Sequence, residues 1–186
     1  MIFGADKEKA IISAYGRGDP GFVDRLYAEY ADYLAGVCSR YIADDDDMKD
    51  VLQEAFIRIV SKMDSFSYRG KGSLRAWITR VTVNECLQFL KKKKKEPETL
   101  DESYAADVPD ADPDVKGLSF DTLVSLIRRL PEGYRQVLNL YAIEGKSHKE
   151  IGEILHIKPD SSASQFHRAK NMLARMIAEE KKNIDC

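Results

Sequence analysis

The sequence predicts an all-α protein with two small helical domains, residues 1–95 and 119–186, joined by a flexible acidic linker over residues 96–118. Apolar residues recur at spacings of three and four on both sides of that linker, and no segment alternates convincingly at period two. The linker itself carries three prolines among scattered acids and few large apolar residues. A segment of that composition cannot bury a core of its own.

The distribution of charge separates the same three segments. The chain has a net charge of −2, but the linker alone carries −7, whereas the first domain carries +3 and the second +2. The electrostatic part of nucleic-acid binding depends on local rather than total charge. Two mildly basic domains with an acidic bridge are therefore compatible with contact to DNA.

The first predicted helix begins at Asp19-Pro20, a pair that suits an N-cap followed by proline in the first turn. Its apolar residues recur at spacings of three and four: Phe22, Val23, Leu26, Tyr27, Tyr30, Leu34, Val37 and Tyr41. This stripe predicts one amphipathic helix. Its tyrosines are expected in the core, with their hydroxyl groups at the rim.

Four consecutive aspartates, Asp44–Asp47, precede the second predicted helix. They could hold Ca²⁺ or Mg²⁺, but the alternating ligands and the glycine of an EF-hand loop do not occur in this sequence. We expect Asp47 to cap a helix that begins near Met48. The buried stripe is predicted to be Val51, Leu52, Ala55, Phe56, Ile59, Val60 and Met63. The outer face is predicted to carry Asp50, Gln53, Glu54 and Arg58.

A loop over residues 65–73 places aromatic and cationic side chains among glycines: Phe66, Tyr68, Arg69 and Lys71. Its Gly-Lys-Gly-Ser sequence is too short for a phosphate-binding P-loop. A third helix is predicted from about Leu74, with the inward residues Trp77, Ile78, Val81, Leu87 and Leu90. It ends in five lysines, Lys91–Lys95, which could complement the helix dipole or contact phosphates.

The second domain contains the signature of a helix-turn-helix. Ser147 and Glu150 form a capping box ahead of a short apolar set, and Pro159 starts a second helix soon afterwards. The inward stripe of that second helix is predicted to be Phe166, Ala169, Leu173, Met176 and Ile177. Another face carries Ser161, Ser164, Gln165 and Arg168, where such motifs contact bases in the major groove. Spacing alone leaves a plain helical bundle about equally possible.

Several other classes of protein are disfavoured. No apolar run is long enough to cross a bilayer, and residues 1–10 do not resemble a signal peptide, so a cytoplasmic protein is expected. Cys38, Cys86 and Cys186 form no CxxC pair, and the three histidines do not share a helical face, so neither a metal nor a cofactor is expected. An enzyme built on the aspartate cluster is disfavoured because no histidine accompanies it.

Taken together, these residues resemble the extracytoplasmic-function (ECF) group of the sigma-70 family of RNA polymerase sigma factors. In the first domain the resemblance to region 2 is carried by Leu26-Tyr27-x-x-Tyr30, by residues 50–56 (DVLQEAF) and by Ala76-Trp77-Ile78-x-Arg80-Val81-x-x-Asn84. In the second domain the resemblance to region 4 is carried by Leu130-Pro131-x-x-Tyr134-Arg135, Glu144-Gly145-x-Ser147-x-x-Glu150-Ile151 and Arg168-Ala169-Lys170.

The resemblance implies a division of roles within the first domain. Its second helix would bind the clamp helices of the largest polymerase subunit through Asp50, Gln53, Glu54 and Phe56. Its loop and third helix would bind and melt the −10 element and hold an unstacked base. The residues implied for this role are Phe66, Tyr68, Arg69, Lys71, Arg80, Asn84, Lys91 and Lys92. Aromatic and cationic side chains suit such a task, whereas Trp77 is expected in the core.

For the second domain the resemblance implies binding to the −35 element and to the polymerase flap. The residues implied for DNA contact are Lys158, Ser161, Ser162, Ser164, Gln165, Arg168 and Lys170. The family usually has a basic residue where this chain has Ala163, and a glycine in the turn where it has His156. An anti-sigma factor is a further implied partner. A free-standing helix-turn-helix repressor is the rival interpretation, and it leaves the first domain without a role.

Overall fold

The computed structural model describes residues 7–93 and 112–184, and the chain divides into two compact units, Met1–Lys95 (unit 1) and Glu96–Cys186 (unit 2). In the described residues all regular structure is helical, which confirms the all-α prediction. Residues 94–111, which include most of the predicted linker, lie outside the described residues. None of the described helices is long and apolar enough to cross a membrane.

Unit 1 contains four α-helices: α1 (Lys7–Gly16), α2 (Phe22–Tyr41), α3 (Asp45–Ser61) and α4 (Ser73–Lys93), with a 3₁₀ turn at Met63–Ser65. Its core joins the apolar faces of all four helices. The buried members include Ile11, Ala14, Leu26, Leu34, Phe56, Ile59, Leu74 and Ile78. The loop between the 3₁₀ turn and α4 therefore starts and ends on residues anchored in this core.

Two predicted helix starts in unit 1 are wrong by a few residues. α2 begins at Phe22, because the Asp19 carboxylate accepts the Gly21 amide at 2.9 Å and closes a turn before the helix. α3 is capped by Asp44 instead of Asp47, since the Asp44 carboxylate accepts the amides of Asp46 and Asp47 at 3.0 and 2.9 Å. The Asp47 carboxylate pairs instead with Lys93 of α4.

The predicted stripe of α2 is too wide at its start. Val23 and Tyr27 are 44% and 55% exposed, whereas Leu26 and Tyr30 are buried. Each residue of an α-helix is rotated by about 100° from the one before, so positions 23 and 27 fall beyond the edge of the buried face. The Tyr27 ring instead packs on the outside of Phe56, with 5.0 Å between the ring centroids.

The described part of unit 2, residues 112–184, forms four further α-helices: α5 (Phe120–Arg128), α6 (Glu132–Leu138), α7 (His148–Leu155) and α8 (Pro159–Ile184). A π-helical turn, Asn139–Ile143, continues α6. The long α8 is the centre of the core, against which Leu126, Leu130, Tyr134 and Leu138 pack. The guanidinium of the buried Arg135 donates to the carbonyl oxygens of Arg128 and Leu130, both at 2.9 Å, and so satisfies the C-terminal end of α5.

Candidate nucleic-acid interfaces

A cleft of about 360 Å³ opens in unit 1 between the loop before α4 and the first turns of that helix. Its lining combines two aromatic rings, two guanidinium groups and three hydroxyl groups: Ser65, Phe66, Ser67, Arg69, Ser73, Ala76, Trp77 and Arg80. The rings of Phe66 and Trp77 are tilted by 50° with centroids 5.4 Å apart. A flat aromatic ligand could stack on these rings while the arginines supply hydrogen-bond donors and positive charge.

Trp77 was expected in the core, but it is only half-buried and forms part of the cleft wall. The neighbouring Ile78 takes the fully buried position of that helical turn. The large indole packs on the core with one part and lines the cleft with another. The tryptophan therefore joins the aromatic and cationic residues that the sequence assigned to the loop.

The backbone of the cleft loop is held in one conformation by local hydrogen bonds. Gly70 and Gly72 have φ values of +119° and +89°, which residues with side chains rarely adopt. The amide of Arg69 donates to the hydroxyl of Ser73 at 3.2 Å, and the amide of Ser73 donates to the carbonyl oxygen of Gly70 at 3.1 Å. These contacts tie the arginine-bearing side of the loop to the first residue of α4.

The remaining residues predicted to contact the −10 element lie around this cleft and along α4. Four of them are exposed on that helix: Arg80, Asn84, Lys91 and Lys92. In the loop, Lys71 is exposed, whereas Tyr68 is half-buried beneath the ammonium group of Lys9, 5.8 Å from the ring centroid. The exposed side chains continue the positive charge of the cleft toward the C-terminal end of α4.

The predicted polymerase contacts on α3 differ in their exposure to solvent. Asp50, Gln53 and Glu54 are exposed, as predicted. Phe56 is only 9% exposed, and because it packs in the core beneath Tyr27 it cannot be the direct contact that was predicted. Ile57, 62% exposed, is an apolar side chain that the sequence analysis missed. Its position outside the apolar stripe of α3 was the signal that could have identified it.

In unit 2, α7 and α8 form the predicted helix-turn-helix. Ser147 accepts the Glu150 amide at 3.3 Å, and the Ser147 amide donates to the Glu150 carboxylate at 2.8 Å, so the capping box is confirmed. Hydrogen bonds from the Ser147 amide and hydroxyl lower the pKa of Glu150. These hydrogen bonds therefore stabilise the folded state above the usual glutamate pKa, and their contribution is lost as the pH falls through the lowered pKa of Glu150.

Replacing Ser147 with alanine is expected to lower the free energy of unfolding by about 1 kcal/mol, because the first turn of α7 loses its capping hydroxyl. Chemical denaturation of the full chain, followed by far-UV circular dichroism, measures the change. Ser125→Ala is the matched control, since Ser125 is exposed in the middle of α5 and alanine is the better helix former there. Equal destabilisation by both substitutions would contradict the capping role.

The turn between the two helices tolerates histidine in place of the usual glycine. His156 adopts φ 57° and ψ 43°, the left-handed conformation, and its amide donates to the carbonyl oxygen of Gly152. The amide of Ile157 donates to the same oxygen at 3.1 Å. Histidine enters this region more readily than most residues, so the turn accommodates it.

The N-terminal part of α8 presents a narrower outer face than the sequence predicts. Lys158, Ser161 and Ser164 are exposed, but Ser162 is fully buried, with its hydroxyl 3.0 Å from Nδ1 of His148. The prediction that Ser162 contacts DNA is therefore wrong. The rotation of about 100° per residue directs this position toward α7, unlike the serines on either side.

Gln165 and Arg168 lean against α6 and are half-buried. The side chain of Gln165 lies against Gly133, and a guanidinium nitrogen of Arg168 lies 3.5 Å from the hydroxyl oxygen of Tyr134. This contact orients Arg168, because Tyr134 is itself buried. Lys170, with an 18% exposed side chain, pairs with Asp112 at 3.2 Å, so a phosphate would have to compete with a carboxylate for this ammonium group.

His167 is an exposed residue on the outer face of α8 that sequence reasoning considered only as a metal ligand. It lies three residues after Ser164, so the two side chains share a face. Its Nε2 is 3.1 Å from the side-chain nitrogen of Asn171, which fixes the orientation of the ring. Within the described ranges no group of three or more histidine, cysteine or acidic side chains could hold a metal ion.

Cys38 and Cys86 are both buried in unit 1, whereas Cys186 lies outside the described residues. A mutual hydrogen bond and burial raise the pKa of the Cys86 thiol well above its usual value. A protonated and buried thiol is a poor nucleophile, so this pair contributes packing and not reactivity.

Comparison with known proteins gives matches over both units. The family model described as Sigma-70 region 2 matches residues 26–96, and the model described as Sigma-70, region 4 matches residues 120–173. The ECF RNA polymerase sigma-E factor of Haemophilus influenzae is 27% identical, covering 91% of this chain and 95% of that protein. The ECF RNA polymerase sigma factor SigW of Bacillus subtilis is 28% identical, covering 92% and 97%.

A solved structure shares the fold. The sigma factor RpoE from Bartonella quintana, in complex with the anti-sigma factor NepR, aligns with a TM-score of 0.50 at 18% identity, covering 85% of this chain and 98% of the solved chain. The matched family models leave α1 outside their range, since the first match begins at residue 26.

Proposed function

Since the chain belongs to the sigma-70 family of RNA polymerase sigma factors, in the ECF group, we propose that its two units divide promoter recognition between them. The protein binds core RNA polymerase and directs promoter-specific initiation of transcription. A free-standing repressor is disfavoured because the region 2 match over residues 26–96 would then have no role. In this proposal the chain acts in the cytoplasm, where the polymerase and the promoter are.

The observation that carries the proposal is the cleft of unit 1, with its aromatic wall and its two arginines. An unstacked base of the −10 element stacks on Phe66 and Trp77, while Arg69 and Arg80 contact its polar edge or its phosphate. Each base stacked on an aromatic side chain contributes about 1–3 kcal/mol, which offsets part of the cost of opening the duplex. Lys91 and Lys92 contact phosphates farther along the strand.

Unit 2 reads the −35 element through the outer face of α8. Ser161, Ser164 and His167 face the major groove, and Arg168 and Gln165 approach it from the side supported by α6. Lys158, at the start of the helix, contacts a phosphate. Because Ala163 brings no cation to this face, affinity for isolated −35 DNA is low, and most of the binding free energy comes from the tethering of both units to one polymerase.

The polymerase binds the chain at two places in this proposal. The clamp helices contact Asp50, Gln53 and Glu54 on α3, with the exposed Ile57 at the edge of that contact. The flap contacts unit 2. An anti-sigma factor restrains the chain by covering one of these surfaces, and the solved relative in complex with NepR supports this class of partner.

Substitutions on α3 and on α8 are expected to give opposite defects. Gln53→Ala with Glu54→Ala weakens binding to core polymerase and leaves −35 recognition by the assembled holoenzyme intact. Gln165→Ala with Arg168→Ala lowers affinity for −35 DNA, by about 1–3 kcal/mol for each contact that is lost, and spares core binding. Fluorescence anisotropy with labelled core polymerase and with a labelled promoter measures the two affinities separately.

Asp32→Ala and Glu153→Ala are the controls for these two pairs, since both residues are exposed acids on other helices, α2 and α7. Neither control is expected to change either affinity. If the α3 and α8 variants showed the same defect, the division of roles would be wrong.

A further inference from the structure

Helix α1, which the region 2 match does not include, contacts the cleft loop at three points. The Tyr15 hydroxyl donates to the carboxylate of Asp64, at the start of the loop. The ammonium group of Lys9 lies over the Tyr68 ring in the middle. Glu8 reaches the end of the loop, where α4 begins. The helix therefore spans the whole segment that leads from the 3₁₀ turn into α4.

Glu8 is the buried member of these contacts, only 7% exposed. Its carboxylate accepts the amide of Gly72 at 2.8 Å and the amide of Arg75 at 3.1 Å, and the Tyr30 hydroxyl lies 3.4 Å away. Burial, together with the carboxylates of Glu8 and Glu29, raises the pKa of Tyr30. The phenol therefore stays protonated and remains a donor to Glu8.

The two amides that Glu8 accepts lie at the N-terminal end of α4, since Gly72 directly precedes the helix and Arg75 is in its first turn. Helix N-termini leave their first amides without partners inside the helix, and a side chain just before the helix usually accepts one of them. Gly72 occupies that position and has no side chain. Glu8 therefore supplies the missing cap from another helix, and its negative charge is favoured by the positive end of the helix dipole.

We propose that Glu8 is a positioning residue for capture of the −10 base, holding the mouth of the cleft in its binding geometry before DNA arrives. The amides of Gly72 and Arg75 bracket Ser73, whose hydroxyl accepts the amide of Arg69. Fixing Ser73 thereby fixes both the backbone that carries Arg69 and the start of the helix that carries Trp77. Such preorganisation removes the ordering cost that DNA binding would otherwise meet.

This inference rests on the proposed function of the cleft, because positioning matters only if the cleft binds the base. If Glu8 positions the cleft, the length of the side chain at position 8 determines how tightly the base is bound. The substitution Glu8→Gln keeps an acceptor oxygen at the same reach but removes the charge, so the glutamine would satisfy only one of the two amides well. Aspartate keeps the charge but is one methylene too short to reach both amides, and alanine leaves them without a side-chain acceptor at position 8.

The experiment measures binding of the full chain, assembled with core polymerase, to a fluorescent single-stranded −10 oligonucleotide. Glu8→Ala and Glu8→Asp are expected to lower this affinity about tenfold and Glu8→Gln about threefold, with core affinity unchanged. Trp77 is the only tryptophan in the chain, so its quenching by acrylamide reports on the cleft wall. Quenching in the free protein is expected to rise in the same order of variants.

Asp24→Asn is the matched control, because Asp24 is an exposed carboxylate in the first turn of α2. It is expected to leave both readouts unchanged. Wild-type affinity for the oligonucleotide in Glu8→Asp would overturn the inference, as would an equal loss of core and oligonucleotide affinity, which would indicate general destabilisation. If Glu8→Ala does not fold, Glu8→Asp is compared with Glu8→Gln. Weaker binding of the oligonucleotide by Glu8→Asp than by Glu8→Gln supports the inference, and equal binding overturns it.

Failure of the inference is distinguishable from failure of the proposed function. Trp77→Ala is measured in the same assay. If Trp77→Ala weakens oligonucleotide binding and the Glu8 variants do not, the cleft binds the base and Glu8 has no positioning role. If Trp77→Ala also binds normally, the base is held elsewhere, and the proposed function of the cleft is wrong together with the inference.

Discussion

Replacing Gly152 with valine is expected to abolish recognition of the −35 element while leaving the binding of core polymerase through unit 1 intact. Gly152 is buried in the middle of α7, on the side where Ile157 and Pro159 approach as the chain turns toward α8. A Cβ atom built at this position would lie 2.7 Å from the carbonyl oxygen of Ile157 and 3.6 Å from the ring of Pro159. The first distance is shorter than real Cβ atoms show. The atom that it meets belongs to the backbone, so it cannot move away as the end of a flexible side chain could.

The clash cannot be relieved without opening the turn. The amides of His156 and Ile157 both donate to the Gly152 carbonyl oxygen, so the residues that would have to move are those that close the turn. Overpacking of a buried site costs about 1–3 kcal/mol, and the atoms that clash belong to the turn between α7 and α8. Alanine at position 152 tests the same clash with the smallest possible side chain.

Two measurements separate this effect from general unfolding. Anisotropy with a labelled promoter follows −35 recognition, and a pull-down with core polymerase follows unit 1. Gly16→Ala is the control, because a Cβ at Gly16 meets no other atom within 4 Å. Normal −35 recognition by Gly152→Val would mean that the turn is more open in solution than the close approach of Ile157 implies.

The helix-turn-helix could be predicted from sequence because its signals are local. The capping box at Ser147 and the proline at position 159 each act within one helical turn, so the starts of α7 and α8 agree with the prediction. The start of α3 could not be decided in this way. Four adjacent aspartates offer the same capping oxygen, and the choice of Asp44 depends on where α2 ends and on the pairing of Asp47 with Lys93.

The helix α1 was missed because its stability depends on contacts distant in sequence. Ten residues are too few to form a stable helix alone, and the two buried apolar residues, Ile11 and Ala14, give only a weak periodic signal. The link from Glu8 to Gly72 and Arg75 spans more than sixty positions of the chain. No motif within α1 could indicate that its carboxylate caps another helix.

The exposure of some side chains at the candidate interfaces differs from what the sequence predicts. Ser161, Ser162 and Ser164 are chemically the same, and only the packing of α8 on α7 buries the middle one. Trp77 presents the reverse case, because a large apolar side chain was assigned to the core although it is only partly buried. The face of a helix follows from its period, but the width of the buried stripe depends on its neighbours.

Replacing Trp77 with alanine is expected to slow promoter opening about 10- to 100-fold, because the melted −10 base loses the larger of the two rings on which it stacks. Opening is measured by the fluorescence of 2-aminopurine placed in the −10 strand, with saturating holoenzyme, so that a change in core affinity does not enter the rate. Trp77→Phe keeps a smaller aromatic face and is expected to retain most of the rate.

Because Trp77 also packs on the core, its removal lowers stability, and a second variant must separate that effect from base stacking. Arg80 is exposed and lines the same cleft, so Arg80→Ala leaves the core untouched and is expected to slow opening about fivefold through the loss of one charge-assisted contact. Arg25→Ala, an exposed arginine on α2, is the control for lost positive charge. A slow Trp77→Ala variant together with normal opening by Arg80→Ala would attribute the defect to packing alone and remove the cleft from the mechanism.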